Sequence, residues 1–433
     1  MINYEALEAD IKTLAHKYGE SKLIEKQVTS FKPGLTPIPA SGKVVGGLEV
    51  ENAVAAAFDM HFTEGRFVEK FEKRIADYLG LRFASMCNSG SSANLLAITT
   101  LKEIVDRIQG RSNIITAAAG FPTTINPIIQ NGFIPRFVDV EIETYVPTID
   151  MIANAVDKDT VGIFMAHTLG NPFPIEDVLA LCKEKGIHLI EDNCDALGST
   201  YAGKLTGTFG LMSTLSLYPA HHITAGGGGG VFTKSPIVNK MINSYRDWGR
   251  DCWCKTGEDN TCGKRFEWDF PQLHNYDHKY IYSRIGYNLK STDFQGAIAL
   301  AQTFRIETFV AKRRENFKQM YGLLSGLEEF IHLPRATKNS EPSWFGFPIT
   351  VREPNICVLL TKYLESHKIG TRRLFGGNLL KQPAYSAINA SVTVPNTDII
   401  ADNTFWVGIW PGLTSEMVTY TANKIIGFFR SEI

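Results

Sequence analysis

Seven short runs rich in apolar and β-branched residues constrain the fold of this chain more than any other feature. They cover residues 82–87, 113–117, 134–138, 162–166, 188–191, 213–217 and 230–233. Helical periodicity separates several of them, as at 93–108 and 175–185. Alternation of this kind predicts an α/β fold with a mostly parallel central sheet and helices on both faces. Ligands then bind beyond the carboxyl ends of the strands.

The flanking segments suggest three parts. Residues 1–45 read as a helix over 4–18 and an arm carrying Pro33, Pro37 and Pro39. Residues 46–300 make a large domain with a cysteine-bearing insertion near 250–280. Residues 301–433 make a small C-terminal α/β domain, reached through one long helix over 295–324.

Lys and Arg number 44 against 45 Asp and Glu, and there is no basic block, so nothing favours nucleic acid. No apolar run reaches membrane-spanning length. The start is polar and acidic, unlike a signal or transit peptide. The seven cysteines are odd in number and clustered, which suits cytoplasmic thiols kept for a metal better than a disulfide framework.

Four stretches carry chemistry. Asn88-Ser89-Gly90-Ser91-Ser92-Ala93-Asn94 joins a strand to a helix, so Gly90, Ser91 and Ser92 offer amides and hydroxyls to a phosphate, or form a plain helix cap. Phe121 follows the second strand, where a ring can stack on a flat cofactor or fill core. Asp192 ends a buried strand. A carboxylate there needs a partner such as a protonated pyridine nitrogen, unless it caps the next segment. Cys194, Cys252, Cys254 and Cys262 follow the spacing Cys-x57-Cys-x-Cys-x7-Cys. Four thiolates hold either a 2Fe-2S cluster or structural zinc, and the Cys-x-Cys step departs from the usual zinc knuckle.

The stretch Ser216-Leu217-Tyr218-Pro219-Ala220-His221-His222-Ile223-Thr224, running into Gly226 to Gly230, carries a resemblance. Many pyridoxal-phosphate enzymes place a Ser five residues before their Schiff-base lysine, and here His221 holds the lysine's place. With the cysteine spacing, the chain resembles the sugar 3-dehydrases of aspartate-aminotransferase fold. Within that group it is most similar to the CDP-6-deoxy-L-threo-D-glycero-4-hexulose-3-dehydrases of 3,6-dideoxysugar formation. The likeness runs from Pro39-Ala40-Ser41-Gly42-Lys43 to Trp406-Val407-Gly408-Ile409-Trp410-Pro411-Gly412.

The resemblance implies that Gly90, Ser91 and Ser216 hold the cofactor phosphate, Asp192 pairs with the pyridine nitrogen and Phe121 covers the ring. Asn288 would reach the phosphate of a neighbouring subunit in a homodimer. It also raises the 2Fe-2S reading above zinc. Where the family has Gly-Glu-Gly-Gly after the base, this sequence has Gly227 in place of Glu.

Imidazole does not condense stably with an aldehyde, so the cofactor is expected as non-covalent pyridoxamine 5′-phosphate (PMP). His221 is the expected base and His222 its rival. The implied reaction is loss of the C-3 hydroxyl from a nucleotide-linked 4-keto-6-deoxyhexose. Electrons would come through the cluster from an NAD(P)H-dependent iron–sulfur flavin reductase. Three other readings stay open: a pyridoxal-phosphate (PLP) sugar aminotransferase, a histidine-type dehydrase without a cluster, and a silent aminotransferase-like binding protein with zinc.

Overall fold

The computed structural model describes residues 3–28, 30–106, 110–254, 257–388 and 392–431. Three helices come first: α1 (Tyr4–Val28), α2 (Gly47–Phe58) and α3 (Arg66–Leu79). In α3, Phe67, Val68, Phe71, Ile75 and Leu79 recur at helical spacing and are all buried, and Gly80 ends the helix in a left-handed conformation.

There follow β1 (Phe83–Cys87), α4 (Gly90–Val105), β2 (Asn113–Ala117), α5 (Pro122–Gln130), β3 (Ile134–Val138), α6 (Ile149–Ala155), β4 (Thr160–Ala166), α7 (Ile175–Lys185) and β5 (His188–Asp192). A short hairpin, β6 (Thr200–Tyr201) and β7 (Lys204–Leu205), precedes β8 (Met212–Ser216), β9 (Gly229–Thr233) and α8 (Pro236–Arg246).

The seven expected strands are all present within a residue or two. They form one sheet in the order β1-β9-β8-β5-β4-β2-β3. Only β9 runs against the others, paired antiparallel to both β1 and β8. The carboxyl ends of β1, β2, β4, β5 and β8 therefore share one edge, and the loops leaving them build the site. Buried apolar side chains cover both faces, including Ile115, Ile163 and Phe173 in one cluster and Leu96, Ile114 and Phe164 in another. Each such side chain contributes about 1.5–3 kcal/mol.

α9 (Asp293–Thr303) and α10 (Ile306–Leu324) lead into β10 (Ile331–His332), β11 (Ser340–Glu341), β12 (Phe347–Val351), α11 (Ile356–Ser366), β13 (Thr371–Arg373), α12 (Pro395–Asn403), β14 (Thr404–Val407) and α13 (Ser415–Ser431). Strands β10, β12, β14 and β13 make a second, antiparallel sheet with its own core, in which Phe347, Leu360, Phe405 and Ile425 are fully buried.

Two expected helices differ from the structure. The helix over 295–324 is two helices, because the backbone turns at Phe304 and Arg305, where the Arg305 side chain reaches Glu49 at 3.2 Å. The first helix does not stop at Tyr18. Gly19 is a crossing point rather than a terminus: a Cβ there would lie 2.6 Å from the Gly46 carbonyl oxygen and 2.8 Å from Val50. None of the described helices is long and apolar enough to cross a membrane.

Candidate active site

The loop from β1 into α4 begins the site. Ser89 caps α4, its side chain accepting a hydrogen bond from the Ser92 amide at 3.0 Å. Gly90 lies so close to the end of β8 that a Cβ would stand 2.5 Å from Ser216 Cβ. That approach needs glycine, and it gathers Gly90, the exposed Ser91, Ser92 and the buried Ser216 around the positive end of a 16-residue helix. Such a cradle suits a phosphate.

Asp192, at the end of β5, is 5% exposed. Its Oδ2 accepts from Asn94 Nδ2 at 2.9 Å and Thr124 Oγ1 at 2.7 Å, and its Oδ1 accepts from the Cys194 amide at 3.2 Å. Every donor is neutral. A buried carboxylate held without a cation fits the protonated nitrogen of a pyridine ring. Beside it, Phe121 stands 51% exposed, touching Phe375 edge-on at 6.2 Å, so one face of its ring is open to a flat ligand.

His221 and His222 follow β8 on the same edge and differ sharply. His222 is 4% exposed and donates Nε2–H to the Ser343 carbonyl at 2.7 Å. Burial, with Arg313 adding to it, holds its pKa well below the ordinary value. It is a neutral imidazole with one nitrogen committed to backbone. His221 keeps a partly open side chain, with Nδ1 3.4 Å from Asp195 Oδ1 and its ring 5.2 Å from Phe345.

Beneath the pair, fully buried Arg313 donates to the carbonyls of Trp344 at 3.2 Å, Phe345 at 2.9 Å and His221 at 3.4 Å. Asp195, Arg313, Phe345, Asn94 and Thr124 were not singled out from the sequence. Asp195, Asn94 and Thr124 lie in stretches that were, 191–195, 88–94 and 120–124, but only the fold shows what they face.

Among the described residues no lysine takes the place of His221: Lys234 follows β9 and so lies at the opposite edge of the sheet, where it donates to Thr208. Lys204 is on the exposed β6–β7 hairpin. Lys43 shares a narrow crevice with His221, Gln302 and Arg313. Asn288 is exposed and bridges Asp247, and its neighbour Leu289 accepts from the Asn88 amide at 2.9 Å.

The four cysteines are not gathered. Cys252 and Cys254 are adjacent, the Cys254 amide donating to Cys252 Sγ at 3.4 Å. Cys254 Sγ lies 3.1 Å from Thr261 Oγ1, while Cys262 Sγ lies 3.2 Å from His278 Nε2. Cys194 sits with Asp192 and Thr214 instead, and burial together with the carboxylates of Asp192 and Asp195 pushes its thiol well above the ordinary range.

Among the described residues no three His, Cys, Asp or Glu side chains converge on a point that a metal ion could occupy. The expected cluster does not fit the thiols as placed, and no step below passes through one. A cavity of about 750 Å³ is lined by Cys252, Cys254, Glu72, Arg246 and Lys290 and by none of the phosphate, ring or base candidates.

A sequence profile of the DegT/DnrJ/EryC1/StrS aminotransferase family matches residues 46–426. The chain belongs to that family. Among relatives within it, the lipopolysaccharide biosynthesis protein RfbH of Salmonella typhimurium is 48% identical over 431 residues, 98% of each chain. A dTDP-4-dehydro-2,6-dideoxy-D-glucose 3-dehydratase of Saccharopolyspora spinosa is 48% identical over 412 residues, 93% of this chain and 89% of that one. Among solved structures, a GDP-4-keto-6-deoxy-D-mannose-3-dehydratase of Escherichia coli with bound hydrated PLP superposes with a TM-score of 0.81 at 26% identity. The match covers 90% of this chain and 99% of the other.

Proposed function

We propose that this protein removes the C-3 hydroxyl of a nucleotide-linked 4-keto-6-deoxyhexose with bound PMP. The observation that carries the reading is His221. An imidazole stands at the end of β8 where an amine would anchor the cofactor, and Asp195 faces its Nδ1. Two relatives named as 3-dehydratases of 4-keto sugar nucleotides support the substrate class.

When bound, the cofactor supplies an amine to the sugar's ketone and a ring that accepts electrons. The chain does the rest. The start of α4, with Ser91 and Ser216, binds the phosphate, Asp192 holds the ring nitrogen protonated, and Phe121 covers one face. With Nδ1 turned to Asp195, Nε2 of His221 is the atom that takes and returns a proton at the cofactor's methylene carbon. His222 is the weaker candidate: its Nε2–H is committed to the Ser343 carbonyl, and although Nδ1 keeps its lone pair, burial holds the pKa well below the ordinary value and keeps the ring 4% exposed.

The test is solvent-deuterium exchange at the PMP methylene. His221→Asn should lower exchange by 10²-fold or more while PMP affinity is kept. Retained exchange would move the role to another group. A panel of CDP-, dTDP- and GDP-linked 4-keto sugars identifies the nucleotide, for which CDP is the expectation drawn from resemblance. The homodimer and the flavin reductase rest on the same ground. A 2Fe-2S relay is supported by the cysteine spacing and the resemblance, and opposed by the lack, among the described residues, of three side chains placed to hold a metal. Iron and acid-labile sulfide in anaerobically purified protein decide it, and their absence beside full coupled turnover would end that reading.

Transamination has one observation in its favour, that Lys43 and His221 line the same narrow crevice. Borohydride reduction in the presence of PLP, followed by peptide mapping, would label Lys43 if that lysine anchors the cofactor.

A further inference from the structure

Helix α1 lies wholly ahead of the region that the family profile matches, and it has two faces. One packs on α2, with Gly19 and Leu23 buried and His16 Nδ1 2.9 Å from Glu51. The other carries Tyr4, Leu7, Ile11, Leu14 and Tyr18, which are 36–67% exposed. Their spacing of three, four, three and four residues is that of the a and d positions of a coiled coil, sustained for two heptads. Such a row left in water on a rigid helix is a seam without a partner.

We propose that this seam pairs antiparallel with the same seam on a second copy of this chain. The charges beside the row select that occupant. With Tyr4, Ile11 and Tyr18 at a and Leu7 and Leu14 at d, the g positions include Asp10 and Lys17, and the e positions include Glu8, Ala15 and Lys22. Antiparallel helices face g to g. Packing Leu7 on Tyr18 of the other copy and Ile11 on its Leu14 sets Asp10 against Lys17 twice over. Shifting the register by one heptad toward the N-terminus would set Asp10 against Asp10 and Glu8 against Glu8. A parallel pair would set Lys17 against Lys22. Shifting it the other way would join Glu8 to Lys22 but set Lys17 against Lys17. The first arrangement alone joins opposite charges without opposing like ones, and two copies of this sequence satisfy it. Neither Asp10 nor Lys17 forms an ion pair within the described residues.

The experiment places the photo-crosslinker p-benzoylphenylalanine at Leu14 of the full chain and reads covalent dimer on a denaturing gel, with the linked peptide identified by mass. The expected link falls near Ile11 of the other copy. Asp10→Lys and Lys17→Asp, each at an exposed position, should separately cut the dimer yield about 10-fold, since two attractions become two repulsions. The double variant D10K/K17D should recover it. The proposal is overturned if no covalent dimer forms, if the link maps outside residues 4–18 or to a different protein, or if the double variant stays as low as the single ones.

Discussion

At the scale of single residues, the site turns on what each imidazole nitrogen faces. Nδ1 of His221 lies 3.4 Å from Asp195 Oδ1 without a hydrogen bond between them, and in the proposed reaction that carboxylate would favour the Nδ1–H tautomer and leave Nε2 free. Asp195→Asn should reduce methylene proton exchange about 10- to 100-fold with PMP affinity unchanged. Equal rates in wild type and variant would remove Asp195 from the mechanism. Gly227 makes a different prediction. It holds the place of a Glu in the dehydrases that the chain resembles, and unlike Gly226 at φ +76° and Gly228 at φ +118° it does not occupy the left-handed region. A Cβ there would meet nothing closer than Gln295 Nε2 at 3.4 Å. Gly227→Ala should therefore stabilise the protein by about 0.4–1 kcal/mol in urea unfolding, while Gly228→Ala destabilises it.

Among the elements, α10 and the turn after β8 are fastened by one side chain. Arg313 reaches three carbonyls, those of Trp344, Phe345 and His221, and burial draws its guanidinium down to about 9, with Asp195 opposing. Replacing it by Met leaves those carbonyls unpaired in the interior, so Arg313→Met should cost about 2–4 kcal/mol by chemical denaturation. Arg313→Lys should recover less than half of that, because an ammonium cannot reproduce a planar fork. A conservative response to lysine would show that charge, rather than geometry, holds the turn. Glu191 plays a matching part on β5, accepting from the amides of Gly207, Phe209 and Gly210 and meeting His167 at 3.1 Å. It sets the loop that delivers β8 to the site.

At the scale of the whole molecule, charges from α3, α8 and the segment before α9 meet in a network beside the cavity of about 750 Å³. Arg246 meets Glu64 and Asp247 at 2.9 Å and Glu72 at 3.4 Å, and Lys290 meets Glu64 at 2.7 Å. Burial lifts the Glu72 carboxyl to about 7 from an ordinary 4.5, with Arg246 pulling the other way. The folded chain keeps that proton where the unfolded chain has lost it. The stability it contributes is complete below pH 4.5 and lost as pH rises through 7. Unfolding free energy should fall between pH 5 and 8 by at most about 3 kcal/mol, less to the extent that solvent screens the partly open group. Glu72→Gln should flatten that slope, and an unchanged slope would assign it to other groups. The alternating strands, the helices between them and the glycine turn that opens α4 at Gly90 were all legible along the chain, because periodicity and turn chemistry act between near neighbours. The first helix, expected over 4–18, runs on to Val28 through a crossing at Gly19, and one helix over 295–324 is two, because both depend on distant packing partners. The sequence by itself determined the sheet, its ligand edge and the residue type offered there. Only the tertiary structure decided that Asp195 faces His221, that His222 Nε2 meets a buried carbonyl, and that Cys194 sits with Asp192 and Thr214, since convergence of side chains far apart in sequence is set by how the layers pack.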